Sequence, residues 1–210
     1  MYVHVNAKNS CVALFANIYE EVERLSDMMR NFLVMGRFEE NQMPFRPKLT
    51  DVKSLAQRII KTRFHTKYGE DKVKIKICND PVNINLDPSL FWHILSNLVS
   101  NAIKYSPDAE IVEVGLNFLE NEVILSVKDN GIGIPEDDLP NIFQSFYRAV
   151  NSDGHSGYGL GLAIVERFAK MHDASIEVLS EIGKGSTFII HFEYEIPKYQ
   201  IYEKNQTLVN

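Results

Sequence analysis

The sequence predicts an α+β fold: a two-layer α/β sandwich in which a mixed, mostly antiparallel sheet carries helices on one face, preceded by one long α-helix. Three observations point there. Segments of helical period alternate unevenly with short β-rich runs that come in pairs, glycine and proline punctuate the joints between them, and a proline-bearing polar stretch cuts the first helical segment off from the rest.

The first helix runs from Cys11 to about Phe38. It contains no proline and only Gly36, and Ile18, Val22, Leu25, Met29 and Phe32 recur at steps of 4, 3, 4 and 3, an a/d seam. Glu20, Glu21, Glu23, Arg24, Asp27 and Arg30 hold the outward positions, so the seam is expected to self-associate or to be buried against the rest of the chain. The stretch from Glu39 to Pro47 has two prolines among polar residues and reads as a linker, with a boundary near 40 to 48.

A second helix is expected from Val52 to Lys67. The runs Val73 to Cys78 and Val82 to Leu86, separated by Asn79-Asp80-Pro81, predict a hairpin. Asp87-Pro88 supplies an N-cap and an N1 proline for a helix reaching about Tyr105, stopped by Ser106-Pro107. Strands Glu110 to Leu119 and Glu122 to Asp129 meet at Glu120-Asn121. A polar loop covers Asn151 to Ser156, a helix runs from about Gly159 to His172, and strands Ser175 to Ser180 and Ser186 to Phe192 close the pattern.

Composition narrows the function classes. With 210 residues, 22 basic against 28 acidic (22 − 28 = −6), 45% hydrophobic and 24% charged, disorder and collagen are excluded. No dense Lys/Arg block gives a footprint for nucleic acid. Two cysteines, Cys11 and Cys78, are too few for a disulfide framework or a cysteine-rich metal site, and a cytoplasmic setting is expected. No apolar run is long enough to span a bilayer and no signal peptide is recognisable, so the chain as given is expected neither to span nor to cross a membrane.

On the helix after Asp87, His93, Asn97, Asn101 and Lys104 fall within a stripe of about 80°. An amide carbonyl is a hard, neutral oxygen suited to Mg²⁺ that keeps its waters and bridges phosphates, and lysine adds a point charge for those phosphates. Strand Glu122 to Lys128 ends at Asp129-Asn130-Gly131-Ile132-Gly133-Ile134-Pro135. A carboxylate there can accept from an exocyclic amine, which selects adenine over guanine. Gly157-Tyr158-Gly159-Leu160-Gly161 opens a helix whose N-terminus can cradle phosphate; its GxGxG spacing after a loop disfavours a dinucleotide fingerprint. Gly183-Lys184-Gly185-Ser186-Thr187 sits in a hairpin. Each cluster alone reads as a turn or a solvated face; their order makes them informative together.

In that order they resemble the ATP-binding catalytic domain of bacterial sensor histidine kinases, within the superfamily that includes gyrase, Hsp90 and MutL, over about residues 48 to 193. The N box is Asn97 to Ser106, the first glycine box Asp129 to Pro135, the F box Ile142-Phe143-Gln144-Ser145-Phe146-Tyr147-Arg148, the second glycine box Gly157 to Leu162 and the third Gly183 to Phe188. The resemblance implies a Bergerat ATP-binding fold with ATP and Mg²⁺ as cofactors. It implies Asn101 as the metal ligand, Asn97 and Lys104 near the phosphates, Tyr105 near adenine and ribose, and Asp129 on the adenine amine. Gly131, Gly133, Ile134, Gly157, Tyr158, Gly159, Leu160 and Gly161 would line the nucleotide, Thr187 would approach adenine through water, and Arg148 would steady the γ-phosphate. Asn97, Lys104 and Arg148 form the implied catalytic set, and the loop from Phe146 to Gly157 would be the ATP lid.

ATP-hydrolysing members carry a general-base Glu where this chain has Asn97. An amide cannot take a proton from water, which favours phosphoryl transfer over hydrolysis and argues against the anti-sigma-factor serine kinases. Arg24 to Glu39 resembles the second helix of the dimerisation and phosphotransfer domain. The implied domains are therefore 1–40, part of that helix; 41–47, linker; 48–197, the catalytic domain; and 198–210, a tail. No H-box histidine is found: His4 has the wrong setting, His65, His172 and His191 read as packing or surface residues, His93 could approach nucleotide and His155 lies in the lid. Implied partners are ATP, an acceptor-histidine helix and sensor domain upstream, a response regulator receiver domain and, in the full-length protein, a second copy. The chain would be cytoplasmic or the cytoplasmic part of a membrane sensor. Two other readings stay open: a docking module that signals without catalysis, and an ATP-driven clamp needing a carboxylate near Asn97, for which Glu136 is the nearest candidate by motif.

Overall fold

A computed structural model describes residues 14–15, 18, 21–22, 25–26, 28–38, 43–107, 110–152 and 157–194. The chain divides into two units, Met1–Pro44 and Phe45–Asn210. In the first, every described residue up to 38 is helical, and Ile18, Val22, Leu25, Met29 and Phe32 are each at least half exposed. Cys11, Glu20, Glu23, Arg24, Asp27, His4, His155, the middle of the lid loop and the tail lie outside the described residues.

The second unit opens with β1 (Lys48–Asp51), which leads into α1 (Val52–Ile59). Asp51 caps this helix by accepting from the Ser54 amide at 2.9 Å, and Val52, Leu55, Ala56 and Ile59 form its buried stripe. The helix continues through a π-helical stretch, Ile60–His65, and a last turn, Thr66–Tyr68, ending at Gly69 with φ 85°. β2 (Val73–Cys78) and β3 (Asn83–Leu86) follow. The expected hairpin between these two is not formed. β2 pairs in parallel with β4 (Val112–Phe118), Val73 opposite Val112, whereas β3 pairs antiparallel with β1, Leu86 opposite Lys48. Asn79 stands at φ 63° and Pro81 has no amide to donate, so the chain leaves the plane of β2 instead of folding back along it.

α2 (Pro88–Tyr105) starts where expected. The Asp87 carboxylate accepts from Ser89 N at 2.8 Å and Leu90 N at 3.2 Å, and Pro88 fills a first-turn position that needs no donor. β4 and β5 (Glu122–Lys128) form the expected hairpin. α3 (Gly161–Met171), β6 (Ser175–Glu181) and β7 (Gly185–Glu193) complete the unit. The main sheet runs β2-β4-β5-β7-β6, parallel only at β2-β4.

Its strands alternate. Val112, Val114, Leu116, Val123, Leu125, Val127, Phe188, Ile190 and Phe192 are buried, as are Leu90, Phe91, Ile94, Leu95, Leu98 and Val99 of α2 and Ile164, Val165 and Phe168 of α3. Each such side chain contributes about 1.5–3 kcal/mol by leaving water. This core fixes α2 and α3 and puts the strand ends, the glycine clusters and the polar stripe of α2 in one neighbourhood. No helix among the described residues is long and apolar enough to cross a membrane.

Candidate functional site

β5 delivers Asp129 to the sheet end as a 5% exposed carboxylate. Its Oδ1 accepts from the backbone amides of Gly131 at 2.8 Å and Ser186 at 3.3 Å, and its own amide donates to the Ser186 carbonyl at 2.9 Å. Burial pushes the carboxyl above its usual value, with the two amide donors opposing. No described residue donates to Oδ2, which leaves one oriented acceptor at the site.

Gly131 must be glycine for a steric reason. A Cβ there would collide with the Tyr105 carbonyl, which already accepts from Ile132 N at 3.2 Å. The end of α2 and the first glycine cluster are thus in backbone contact. Gly133 continues the cluster against the β6–β7 turn, where its carbonyl accepts from Asn151 Nδ2 at 2.9 Å, and Ile134 N donates to Ser180 Oγ at 2.8 Å.

Along α2, Asn97 Nδ2 donates to the His93 carbonyl at 2.8 Å, so Oδ1 is the end that faces outward. A Cβ on Gly161 would lie 3.1 Å from that Oδ1 and 3.8 Å from Asn101 Nδ2, which places the N-terminus of α3 directly over both amides. Leu160, which precedes α3, is buried and offers no side-chain cap, so the first-turn amides remain available to an anion. Lys104 Nζ donates to Tyr105 Oη at 2.7 Å, and a Cβ on Gly157 would lie 2.5 Å from that same Nζ. Burial, and secondarily the Arg148 charge, hold Lys104 down to about 8. Burial raises the Tyr105 phenol, with Arg148 opposing. Arg148 itself donates from Nη2 to the Ser152 carbonyl at 2.9 Å.

Gly159 stands at φ 69°, its carbonyl accepting from Phe146 N at 2.8 Å, so the described segments on either side of residues 153–156 are joined. Tyr158 is 46% exposed. Thr187 is half-buried and lies in register with Lys128 and Leu179; the residue of that cluster that touches Asp129 is Ser186. The His93 ring packs edge-on against Trp92 and at 5.6 Å against Phe168. His65 bonds the Val73 carbonyl, and His191 bonds Glu122 at 2.9 Å.

Two participants went unforeseen. Ser186 acts through its backbone, which no side-chain motif announces, and Asp138 engages the F-box segment from a short 3-10 helix, Glu136–Asn141. The acidic run Glu136-Asp137-Asp138 after the first glycine cluster is the one sequence signal for the latter, and it does not tell which of the three is buried.

Among the described residues no cluster of His, Cys, Asp or Glu could hold a metal ion. The hard donors at the site are the amides of Asn97 and Asn101, which suit a cation that arrives with its own oxygen ligands. An oriented acceptor stands at one end, with two cations, two amides and an uncapped helix N-terminus at the other. That arrangement fits an amino-bearing base joined to a polyanion.

Comparison with known proteins agrees. A sequence model described as "Histidine kinase-, DNA gyrase B-, and HSP90-like ATPase" matches residues 86–196. The sensor protein KdpD of Clostridium acetobutylicum is 32% identical over 187 residues, covering 88% of this chain and 20% of the relative. The sensor-like histidine kinase SenX3 of Mycobacterium tuberculosis is 34% identical over 184 residues, covering 85% of this chain and 44% of the relative. The chain therefore spans less than half the length of these relatives. Among solved structures, the Acinetobacter baumannii histidine kinase AdeS superposes with a TM-score of 0.68 at 24% identity, over 88% of this chain and 85% of that one, and shares the fold. ShkA, solved in complex with AMPPNP, superposes at 0.61 with 25% identity, over 74% of this chain and 33% of that one.

Proposed function

The chain belongs to the family of histidine kinase-, DNA gyrase B- and HSP90-like ATPases, and on that premise we propose that it is the ATP-binding catalytic core of a sensor histidine kinase. It transfers the γ-phosphoryl group of ATP to a histidine supplied outside this chain, for passage to a response regulator receiver domain. The observation that carries this reading is the span of Tyr105. Its carbonyl abuts Gly131 beside Asp129, while its hydroxyl receives Lys104 Nζ at 2.7 Å, so one residue joins the acceptor end of the site to the cationic end.

Asp129 Oδ2 accepts the adenine amine. Gly131, Gly133 and Ile134 admit the base against backbone, and Thr187, next to Ser186, completes that wall. Lys104, Arg148 and the α3 N-terminus, with Gly157, Tyr158, Gly159, Leu160 and Gly161, hold the phosphates. Asn101, with Asn97 one turn before it, holds Mg²⁺; bound there, the ion neutralises charge on the phosphate oxygens. In the transfer the acceptor imidazole nitrogen bonds to the terminal phosphorus as the bond to the bridging oxygen breaks, and ADP leaves with that electron pair. The protein's part is placement and charge, since Asn97 offers no base to activate water.

The N-terminal helical residues, with their exposed seam, would pair with a second copy in the full-length protein, and the acceptor-histidine helix and sensor domain would precede them. The setting proposed is cytoplasmic, as a free core or as part of a membrane-bound sensor.

The test supplies a separate acceptor-histidine domain with Mg-ATP and follows acid-labile, base-stable phosphate. Transfer supports the kinase. Release of inorganic phosphate without transfer would replace it with an ATP-driven clamp.

A further inference from the structure

We propose that Ser180 is a positioning residue for Asp129: its hydroxyl clamps the first glycine cluster to the start of β7, keeps the buried carboxylate aimed, and so sets a preference for a purine that bears an exocyclic amine. This deepens the adenine-binding reading above and rests on it. Three hydrogen bonds converge on Oγ of the half-buried Ser180. Ile134 N lies at 2.8 Å, Ser186 Oγ at 2.8 Å and the Gly185 carbonyl at 3.1 Å. A hydroxyl has one proton and two acceptor sites. Only one assignment serves all three partners: Ser180 donates to the Gly185 carbonyl and accepts from the Ile134 amide and the Ser186 hydroxyl. The bonding capacity of that oxygen is then full, so it acts on its neighbours rather than on a ligand.

What Ser180 holds is the support of the acceptor itself. It stands opposite Ser186 in the β6–β7 pair, and the Ser186 amide reaches Asp129 Oδ1 at 3.3 Å. That is at the outer edge of the usual N–H···O span. A small retreat of β7 would therefore leave Oδ1 with Gly131 alone and free the carboxyl to turn. Close backbone approach is the second, independent observation. A Cβ on Gly185 would collide with the Asp129 carbonyl, and a Cβ on Gly133 with the carbonyl of Glu181, the residue after Ser180. Gly183 N donates to the Ile132 carbonyl at 2.9 Å. The first glycine cluster and the β6–β7 turn are thus in direct backbone contact, and the Ser180 side chain bonds to both. With Oδ1 held by Gly131 and Ser186, Asp129 presents Oδ2 to the ligand. A base with an amine at that edge gains a bond there, whereas a base without one leaves a buried acceptor unpaired.

The experiment measures the affinity of the full chain, with Mg²⁺, for the diphosphates of adenosine and of purine riboside, whose base lacks the exocyclic amine. The proteins are wild type, Ser180→Ala, Ser180→Thr, Ser186→Ala, Asp129→Asn and the Ser180→Ala/Asp129→Asn double variant. The wild type is expected to prefer the adenosine nucleotide by about tenfold or more. Ser180→Ala should erode that preference by about fivefold. Ser180→Thr, which keeps the hydroxyl, should retain it, and the double variant should show no smaller preference than Asp129→Asn alone. Ser186→Ala keeps the amide to Asp129 and loses only the hydroxyl bond to Ser180, so it should lose a smaller part of the preference; it carries the test if Ser180→Ala does not fold. Equal losses for both nucleotides, which a merely structural role would give, an unchanged preference, a threonine variant no better than alanine or further erosion in the double variant would overturn the positioning role. A wild type that binds both nucleotides alike overturns this proposal and leaves a nucleotide site standing. A wild type that binds neither overturns the nucleotide-binding reading as well.

Discussion

The backbone amide of Asp87 donates to Nε2 of His172 at 3.0 Å across 85 residues of sequence. The other ring nitrogen donates to the Phe168 carbonyl at 2.7 Å, so the imidazole is neutral with its proton on Nδ1. Phe45 packs edge-on against the ring at 5.0 Å, and the Asp87 carboxylate that caps α2 also accepts from Arg46 N at 2.8 Å. The start of the second unit, the first turn of α2 and the end of α3 are thereby tied at one point.

Acid should loosen that point. Burial holds His172 below its ordinary value of 6.5, against opposing help from the Phe168 carbonyl and the charges of Asp87 and Asp173. The folded state therefore binds fewer protons than the unfolded chain, and stability is complete above the ordinary histidine range and declines as pH falls through it. Urea midpoints at about pH 7.5 and about pH 5.5 should separate more in wild type than in His172→Gln. Equal separation would assign the acid sensitivity to other groups.

Lys104 makes the opposite prediction for ligand. Held at about 8, it begins to lose its charge just above neutrality. Affinity for a triphosphate should therefore fall as pH rises through 8, and binding near that pH should take up protons. Lys104→Arg keeps a cation throughout and should flatten the profile. A wild-type affinity constant from about pH 7 to about pH 9, with Lys104→Ala binding as tightly as wild type, would remove Lys104 from the phosphate end.

Gly131→Ala should destabilise the fold by about 1–3 kcal/mol, because the added methyl meets the Tyr105 backbone carbonyl rather than a side chain that can swing away. Gly36→Ala is the control: nothing lies within 4 Å of a Cβ there. Thermal unfolding of both variants checks this, and a Gly131 variant as stable as the control would contradict the backbone contact between α2 and the first glycine cluster.

Much of this was legible in the sequence because the signals were local. Asp87-Pro88 announced α2 through capping chemistry, alternation announced β4, β5, β6 and β7, and the ordered glycine clusters located the strand and helix ends that form the site. What failed depended on partners far away. Val73–Cys78 and Asn83–Leu86 have good strand character, yet which strand each pairs with is decided by β4 and β1. β1 has only four residues, little of it buried, and carries almost no pattern. The π-helical stretch Ile60–His65 keeps a helical composition, so nothing in the residue types distinguishes it. At the site, the stripe of Asn97, Asn101 and Lys104 could be read from spacing, whereas Ser186 bonds Asp129 through an amide that any residue could offer.

Whether Asp129 and Asn101 serve one Mg-nucleotide site is decided by calorimetric titration with a non-hydrolysable ATP analogue, with and without Mg²⁺. In Asp129→Asn, the amide oxygen can still accept from Gly131 and Ser186 while the new NH₂ group meets the adenine amine as a second donor, so binding should weaken with the fold intact. Asn101→Ala should remove most of the Mg²⁺ dependence. A folded wild-type chain that binds no analogue, or one whose affinity ignores both substitutions, would mean that Asp129 and Asn101 form no such site.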